Sequence, residues 1–257
     1  MARPNRVKEK LHEGGKVLGP FMKLCDPAAV EIAGLAGFDF VIIDAEHGPI
    51  SIESAQNLVR AAECVGITPI IRIVKNRPSR VLRALDIGAG GVEVPHISSR
   101  EAAQRLVGAS KFAPEGDRGV CRFVRAARYS SRERQEYFRS ANEETILIAH
   151  LEGVEAIENL DEILAVEGLD ILFIGPYDLS QSMGVSGQVD HPRVVEKMEE
   201  VVRRSRDAGR FVGTFVDDIR TAERWMDTGV QYISFSVDTG ILHNAYAGIV
   251  QALASRL

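Results

Sequence analysis

Eight short runs rich in Val, Ile and Phe, most followed by a stretch of helical periodicity, predict an α/β fold of the (β/α)8 TIM-barrel class. The length of 257 residues agrees, since such a barrel takes about 250, and one domain spanning 1–257 is expected. Most of the runs lack polar alternation, which is how parallel strands buried on both faces read. An open doubly wound sheet is the alternative, but the first strand–helix turn, Gly19-Pro20-Phe21-Met22-Lys23, carries no dinucleotide fingerprint.

The strands are expected, in order, near Lys16–Phe21, Asp39–Asp44, Thr68–Ile73, Gly91–Pro95, Thr145–Leu151, Leu169–Gly175, Phe211–Val216 and Gln231–Val237. Between the second and third, Ala55, Leu58, Val59 and Ala62 share one helical face. After the fourth, Ala102, Ala103, Leu106 and Val107 do the same, and after the fifth, Ala156, Ile157, Leu160, Ile163 and Leu164. Val194, Val195, Met198, Val201 and Val202 form the apolar side of the helix before the seventh strand. Gly66, Gly88, Gly168, Gly209 and Gly229 stand near expected helix ends, where a left-handed residue is wanted. The last helix, Ile241–Leu253, is apolar almost all round. That suits a contact with another subunit, and equally a well-packed terminal helix.

The longest interruption, roughly Lys111–Asn142, falls between the fourth and fifth strands and includes Arg122, Arg125, Arg128, Arg132 and Arg134. A long insertion of this kind is expected to shape the active-site mouth, with a solvated arginine-rich helix as the plainer reading. Composition is ordinary for a globular protein, with 45% hydrophobic and 26% charged residues. A net charge of -5 argues against a nucleic-acid partner. Three cysteines without a CxxC pair point to a reducing cytoplasm. No secretory h-region is visible, and no apolar run approaches the roughly 20 residues of a membrane helix.

In a barrel the site lies at the C-terminal ends of the strands. Those ends carry Asp44, Glu46 and His47, then Arg72, His96, His150 with Glu152, the segment Gly175-Pro176-Tyr177-Asp178, Asp217 with Asp218, and Asp238. Arg72 within TPIIRIV and Glu152 within ILIAHLEG interrupt apolar runs, and a charge buried without a partner is costly. Several such residues from different strands favour a site over isolated ion pairs. Glu152 and Asp178 are hard oxygen donors that suit Mg²⁺ or Mn²⁺. A protonated acid pair, or Asp178 as a helix cap, are the other readings. Asp44 precedes His47 by three residues, close enough to orient its imidazole. Arg72 offers a planar fork for a carboxylate or enolate oxygen. None of the seven lysines lies inside a middle or late strand, though Lys23 and Lys75 fall just past strand ends. Imine catalysis is therefore disfavoured and metal-assisted chemistry at a carbonyl favoured.

The segments GFDFVIIDAEHGP, PIIRI, GGVEVPHI, PEGDRGV, HLEGVEAIENLDEI and GLDILFIGPYDLSQSMG, in this order, resemble the HpcH/HpaI family of metal-dependent class II pyruvate aldolases. The resemblance runs from about Gly19 to Gly240. It implies a barrel whose last helix is exchanged between subunits, usually in a trimer of dimers. It implies a divalent metal, Mg²⁺ or Mn²⁺ with Co²⁺ a further candidate, held by Glu152 and Asp178. Arg72 would stabilise an enolate, and His47 would move a proton with Asp44 beside it. Asp86 would support that histidine from a neighbouring subunit. His150, Gly175, Pro176, Tyr177 and Asp178 would line the substrate, the amides around Tyr177 and Asp178 binding its carboxylate. The implied reaction is reversible cleavage of a 4-hydroxy-2-oxo acid to pyruvate and an aldehyde. Related enolate chemistry, a citrate-forming condensation or a CoA-ester lyase, shares the same site, and a non-catalytic oligomeric binding protein is the reading from another class. The chain departs from the family pattern at His150, where Gln is frequent, and at Gly153, Ile73 and Cys121. These departures bear on substrate preference.

Overall fold

The computed structural model describes residues 4–254. The elements run α1 (Arg6–His12), β1 (Val17–Met22), α2 (Pro27–Leu35), β2 (Phe40–Asp44), α3 (Ile52–Val65), β3 (Thr68–Arg72), α4 (Pro78–Asp86), β4 (Gly91–Val94) and α5 (Arg100–Ser110). A 3-10 turn (Arg125–Ser130) and α6 (Arg134–Glu144) precede β5 (Ile146–Leu151), α7 (Val154–Glu158), α8 (Leu160–Leu164), β6 (Ile171–Ile174) and α9 (Pro176–Ser182). The chain then forms α10 (Pro192–Asp207), β7 (Phe211–Val216), α11 (Ile219–Thr228), β8 (Tyr232–Val237) and α12 (Asp238–Leu253). The eight strands are parallel and close into a barrel in sequence order, β8 pairing with β1.

Alternation along each strand decides what reaches the interior. Phe40 and Ile42 join Phe21, Ile70, Ile148, Phe173 and Tyr232 inside the barrel. Val41 and Ile43 face outward into the apolar layer that Leu58, Leu106, Leu160 and Val201 of the outer helices share around the barrel. Phe40 stacks on Tyr232 with ring centroids 4.1 Å apart. Gly19 makes room for Phe40, because a Cβ there would lie 2.2 Å from the Phe40 carbonyl oxygen. The rule of two then carries Ile42 to Asp44, Ile70 to Arg72, Ile148 to His150 and Glu152, and Phe173 to Gly175, all at the upper rim. At the lower end α1 plugs the barrel with Val7 and Leu11, and the Asn5 side-chain amide donates to the Gly90 and Glu144 carbonyls, both at 2.9 Å.

The helix expected after the fifth strand is two short helices broken at Asn159, whose side-chain amide donates to the Ser98 carbonyl at 2.8 Å. Gly66 and Gly229 end α3 and α11 in the left-handed conformation, with φ of 77° and 115°.

The long insertion lies elsewhere than expected. α5 already completes the unit begun by β4, so the insertion joins a helix to the next strand and sits at the N-terminal end of the barrel. Arg118 pairs with Asp86 at the end of α4 (2.8 Å), and Arg125 with Glu63 near the end of α3 (2.7 Å). A cavity of about 960 Å³ opens at this basal end, bounded by Arg6, Glu63, Arg118, Arg125 and Tyr137. It is remote from the strand ends that carry the acids, so the insertion does not shape the mouth of its own barrel. Cys25, Cys64 and Cys121 are free and exposed. No helix among the described residues is long and apolar enough to cross a membrane.

Candidate active site

At the upper rim, Asp44 of β2 and Arg72 of β3 are register partners and form a two-point pair. Arg72 donates from Nε to Asp44 Oδ1 at 2.9 Å and from Nη2 to Oδ2 at 2.8 Å. The guanidinium also lies over the Phe21 ring, 4.4 Å from its centroid. Burial alone would raise the Asp44 pKa, but the hydrogen bond and charge of Arg72, then the amides of His47 and Glu46, hold it below 3.8. Arg72 Nη1 is 3.5 Å from Glu46 Oε2. Burial, against the pull of Arg72, pushes Glu46 up.

The expected contact between Asp44 and the His47 ring is not formed. Asp44 accepts from the His47 backbone amide at 3.2 Å, while the His47 imidazole is largely exposed and stands 3.8 Å from Glu46. Asp44 is committed to Arg72 because a buried carboxylate gains most from a fork that satisfies both its oxygens. Asp86 lies at the basal end, paired with Arg118 and far from His47 of the same chain. Lys23 Nζ approaches Asp44 Oδ2 at 3.9 Å.

Glu152, just past β5, is gripped from three directions. The His96 backbone amide and Nδ1 both lie 3.0 Å from Oε2, and His150 Nδ1 lies 2.6 Å from Oε1. His96 adopts a left-handed φ of 57°, which turns its amide and ring toward the same oxygen. Burial would raise the Glu152 pKa, yet the His150 hydrogen bond and charge outweigh it and hold the acid at about 2.

The substrate-binding role expected for His150 does not fit its surroundings. The ring is 1% exposed and stacked on Phe173, with centroids 4.4 Å apart. Nδ1 faces Glu152, and Nε2 faces Glu93 of β4. Burial would lower the His150 pKa, but the Glu93 charge and the hydrogen bonds of Glu152 and Glu93 raise it to about 9. Glu93 itself is fully buried. It went unnoticed in the sequence although Gly-Val-Glu-Val-Pro carries the same signal as Arg72, a charge inside an apolar run.

Asp178, in the first turn of α9, makes no cap, so the capping alternative is overturned. Its carboxylate has no hydrogen bond or ion pair among the described residues. It shares a cradle with Glu152. A Cβ added to Gly175 would lie 3.7 Å from Glu152 Oε1 and 3.8 Å from Asp178 Oδ2. Two carboxylates from neighbouring strand ends thus face one point that a methyl group would fill. Among the described residues no three His, Cys, Asp or Glu side chains gather as a closed ligand set, so this is no zinc-finger type of site. Two acids at adjacent strand ends match the way Mg²⁺ is usually held, by one or two carboxylates with water and substrate oxygens completing the shell. Beside this cradle the Tyr177 hydroxyl donates to Asp217 at 2.5 Å, which pushes the phenol up to about 12. Asp238 accepts from the Lys23 and Leu24 amides at 2.9–3.1 Å and ties α12 to the end of β1.

A closed parallel barrel with paired acids, a buried arginine and histidines at its C-terminal rim is the arrangement of an enzyme active site. Residues 18–245 match the HpcH/HpaI aldolase/citrate lyase family, and the chain belongs to that family of carbon–carbon lyases. It is 37% identical over 239 residues to a hydroxypyruvate/pyruvate aldolase of Pseudomonas aeruginosa, covering 93% of this chain and 88% of that one. It is 34% identical over 254 residues to a 2-keto-3-deoxy-L-rhamnonate aldolase of Salmonella gallinarum, covering 98% and 92%. The crystal structure of a family protein from Burkholderia cenocepacia J2315 superposes with a TM-score of 0.92 at 31% identity, covering 97% and 99%.

Proposed function

We propose that this protein is a divalent-metal-dependent aldolase that cleaves a 4-hydroxy-2-oxo acid to pyruvate and an aldehyde and runs the reverse addition. The observation that carries the reading is the cradle at Gly175, where Glu152 and Asp178 present oxygens 3.7 and 3.8 Å from one point. Glu152 and Asp178 would hold Mg²⁺ or Mn²⁺, and Co²⁺ meets the same donor set. Bound there, the cation supplies Lewis acidity toward the 2-oxo group.

The chain's own groups supply the rest. Asp44 locks Arg72 through Nε and Nη2 and so fixes the guanidinium plane, and a substrate oxygen would meet it at Nη1, which it would share with Glu46. As the C3–C4 bond breaks, its electron pair becomes the enolate of pyruvate and the 4-hydroxyl proton leaves with formation of the aldehyde. The fixed guanidinium favours that charge as it forms. His47, with its imidazole exposed at the rim, is the group we assign to carry the proton, with Asp86 of a neighbouring copy as its orienting acid. The uncapped first-turn amides of Tyr177 and Asp178 suit the substrate carboxylate.

The same reading covers α12. Tyr246, Ile249 and Val250 are each 60% exposed and no residue of the helix is buried. We infer that a second copy of the chain covers this face, by exchange of α12 between subunits.

The test is pyruvate release from a panel of 4-hydroxy-2-oxo acids after exhaustive chelation and again after Mn²⁺ is restored. Loss and recovery of turnover are expected. Full turnover in the chelated protein, with borohydride trapping an imine on Lys23, would replace this mechanism by a covalent one.

A further inference from the structure

Glu93 has no part in the chemistry above, and its place in the barrel is unexpected for a residue without one. It points inward from β4 with no exposure, level with Arg72 on one side and Ile148 on the other. One of its oxygens meets His150 Nε2. The carboxylate also interacts with the buried Tyr232 hydroxyl, whose pKa is pushed up by burial and then by Glu93. From Glu93 the contacts run to His150, and from His150 to Glu152.

That chain has a geometric consequence. A carboxylate offers about four lone-pair sites. The His96 amide takes one of those on Glu152 and His150 Nδ1 takes another, with the exposed His96 ring lying beside Oε2. What remains is open to a ligand. A half turn of the His150 ring about Cβ–Cγ would put Cδ2 where Nδ1 meets Glu152 and Cε1 where Nε2 meets Glu93, breaking both contacts. Phe173 stacks on one ring face at an interplanar angle of 13° and restricts tilting, but it does not distinguish the two edges. Glu93 does, because it accepts at Nε2 and so settles which edge points up the barrel.

We propose that Glu93 is a positioning residue for metal binding, acting through His150 to hold Glu152 with Oε1 turned toward the side of Gly175. This rests on the assignment of Glu152 and Asp178 as the metal ligands. It explains why a carboxylate–imidazole–carboxylate chain runs up the inner wall from β4 to the rim. Such outer partners of a metal ligand typically contribute a factor of about 10–100 in metal affinity.

The experiment measures Mn²⁺ dissociation constants by electron paramagnetic resonance, without substrate, for the wild type and for Glu93→Leu, Glu93→Gln, His150→Gln and Glu93→Leu with His150→Gln. Glu93→Leu should weaken Mn²⁺ binding about 10- to 100-fold. Glu93→Gln should stay within about threefold, because its amide can donate to Nε2 and keep the proton on Nδ1. In the His150→Gln background Glu93→Leu should cost nothing further, since an amide flips to suit Glu152 without help. Wild-type affinity in a folded Glu93→Leu protein, or equal losses in both backgrounds, overturns the proposal. Nitrogen-15 imidazole spectra of the metal-free protein give a second readout. One fixed His150 ring state in the wild type and exchange between states in Glu93→Leu are expected, and identical spectra overturn the relay. Glu152→Gln separates the two levels. If it abolishes Mn²⁺ binding while Glu93→Leu leaves it intact, only the relay fails. If Glu152→Gln binds Mn²⁺ like the wild type, the ligand assignment fails as well.

Discussion

Gly175→Ala is the sharpest test of where the cation sits. Gly175 has φ −84° and ψ 99°, a conformation open to any residue, so the backbone need not change. The added methyl would lie 3.1 Å from Glu152 Cγ, 3.7 Å from Glu152 Oε1 and 3.8 Å from Asp178 Oδ2. A cation held by both acids needs metal–oxygen distances of about 2.0–2.6 Å, with room for water and substrate oxygens. The methyl takes up that room and pushes Glu152 aside by a few tenths of an ångström. Loss of glycine freedom in the unfolded chain should return about 0.4–1 kcal/mol, against the tight contact with Cγ. The melting temperature should therefore move by no more than about 4 °C. Mn²⁺ affinity should fall by tenfold or more, about 1.4 kcal/mol at least, and metal-dependent exchange of the pyruvate methyl protons in D₂O should fall with it. Isothermal titration of chelator-stripped protein measures the first quantity and proton NMR the second. A variant that melts like the wild type and binds Mn²⁺ within twofold of it would mean the cradle is not the metal site.

The other predictions concern Arg72, Asp44 and α12. Arg72→Lys keeps the charge but loses the fork to Asp44, so kcat should drop about 10²–10³-fold with a smaller change in KM, as removal of one fixed donor to a developing oxyanion does; steady-state kinetics on a cleavable 4-hydroxy-2-oxo acid check it, and an unchanged kcat would remove Arg72 from enolate stabilisation. The Asp44 pKa lies below its unfolded value of 3.8, so its contribution to stability is present above that pH and is lost as pH falls through the folded value. Asp44→Asn should cost about 3–5 kcal/mol at neutral pH, because it strands a buried Arg72, and urea titrations should show a shallower decline below pH 4 than the wild type. Tyr246→Glu places a charge on the apolar face of α12 and should shift the protein to smaller assemblies in light scattering; an unchanged mass would place the subunit contact elsewhere.

How much of this was legible beforehand differs between fold and site. The eight strands announce themselves because a parallel strand buried on both faces must be a local run of apolar residues, and FVIID or ILIAHL can be recognised without knowing its neighbours. Arg72 and Glu152 stand out for the same reason, as charges where a run should be apolar. Asp178 and Gly175 were marked by their place at the end of the sixth strand. The family was legible too, since six ordered segments carry it.

What the sequence could not supply was who meets whom. Asp44 turned from His47, three residues away, to Arg72, which lies 28 residues away but directly opposite in register. Glu93 and His150 are 57 residues apart, and they meet only because closing the barrel sets β4 beside β5. The insertion ended at the base because α5 had already returned the chain to that end. Local pattern determines which residues are strand and which face of the strand is apolar, for that follows from the chain's own period. Partner choice depends on register between distant strands, where a slip of one residue would turn every inward side chain outward, and only the closed barrel decides it.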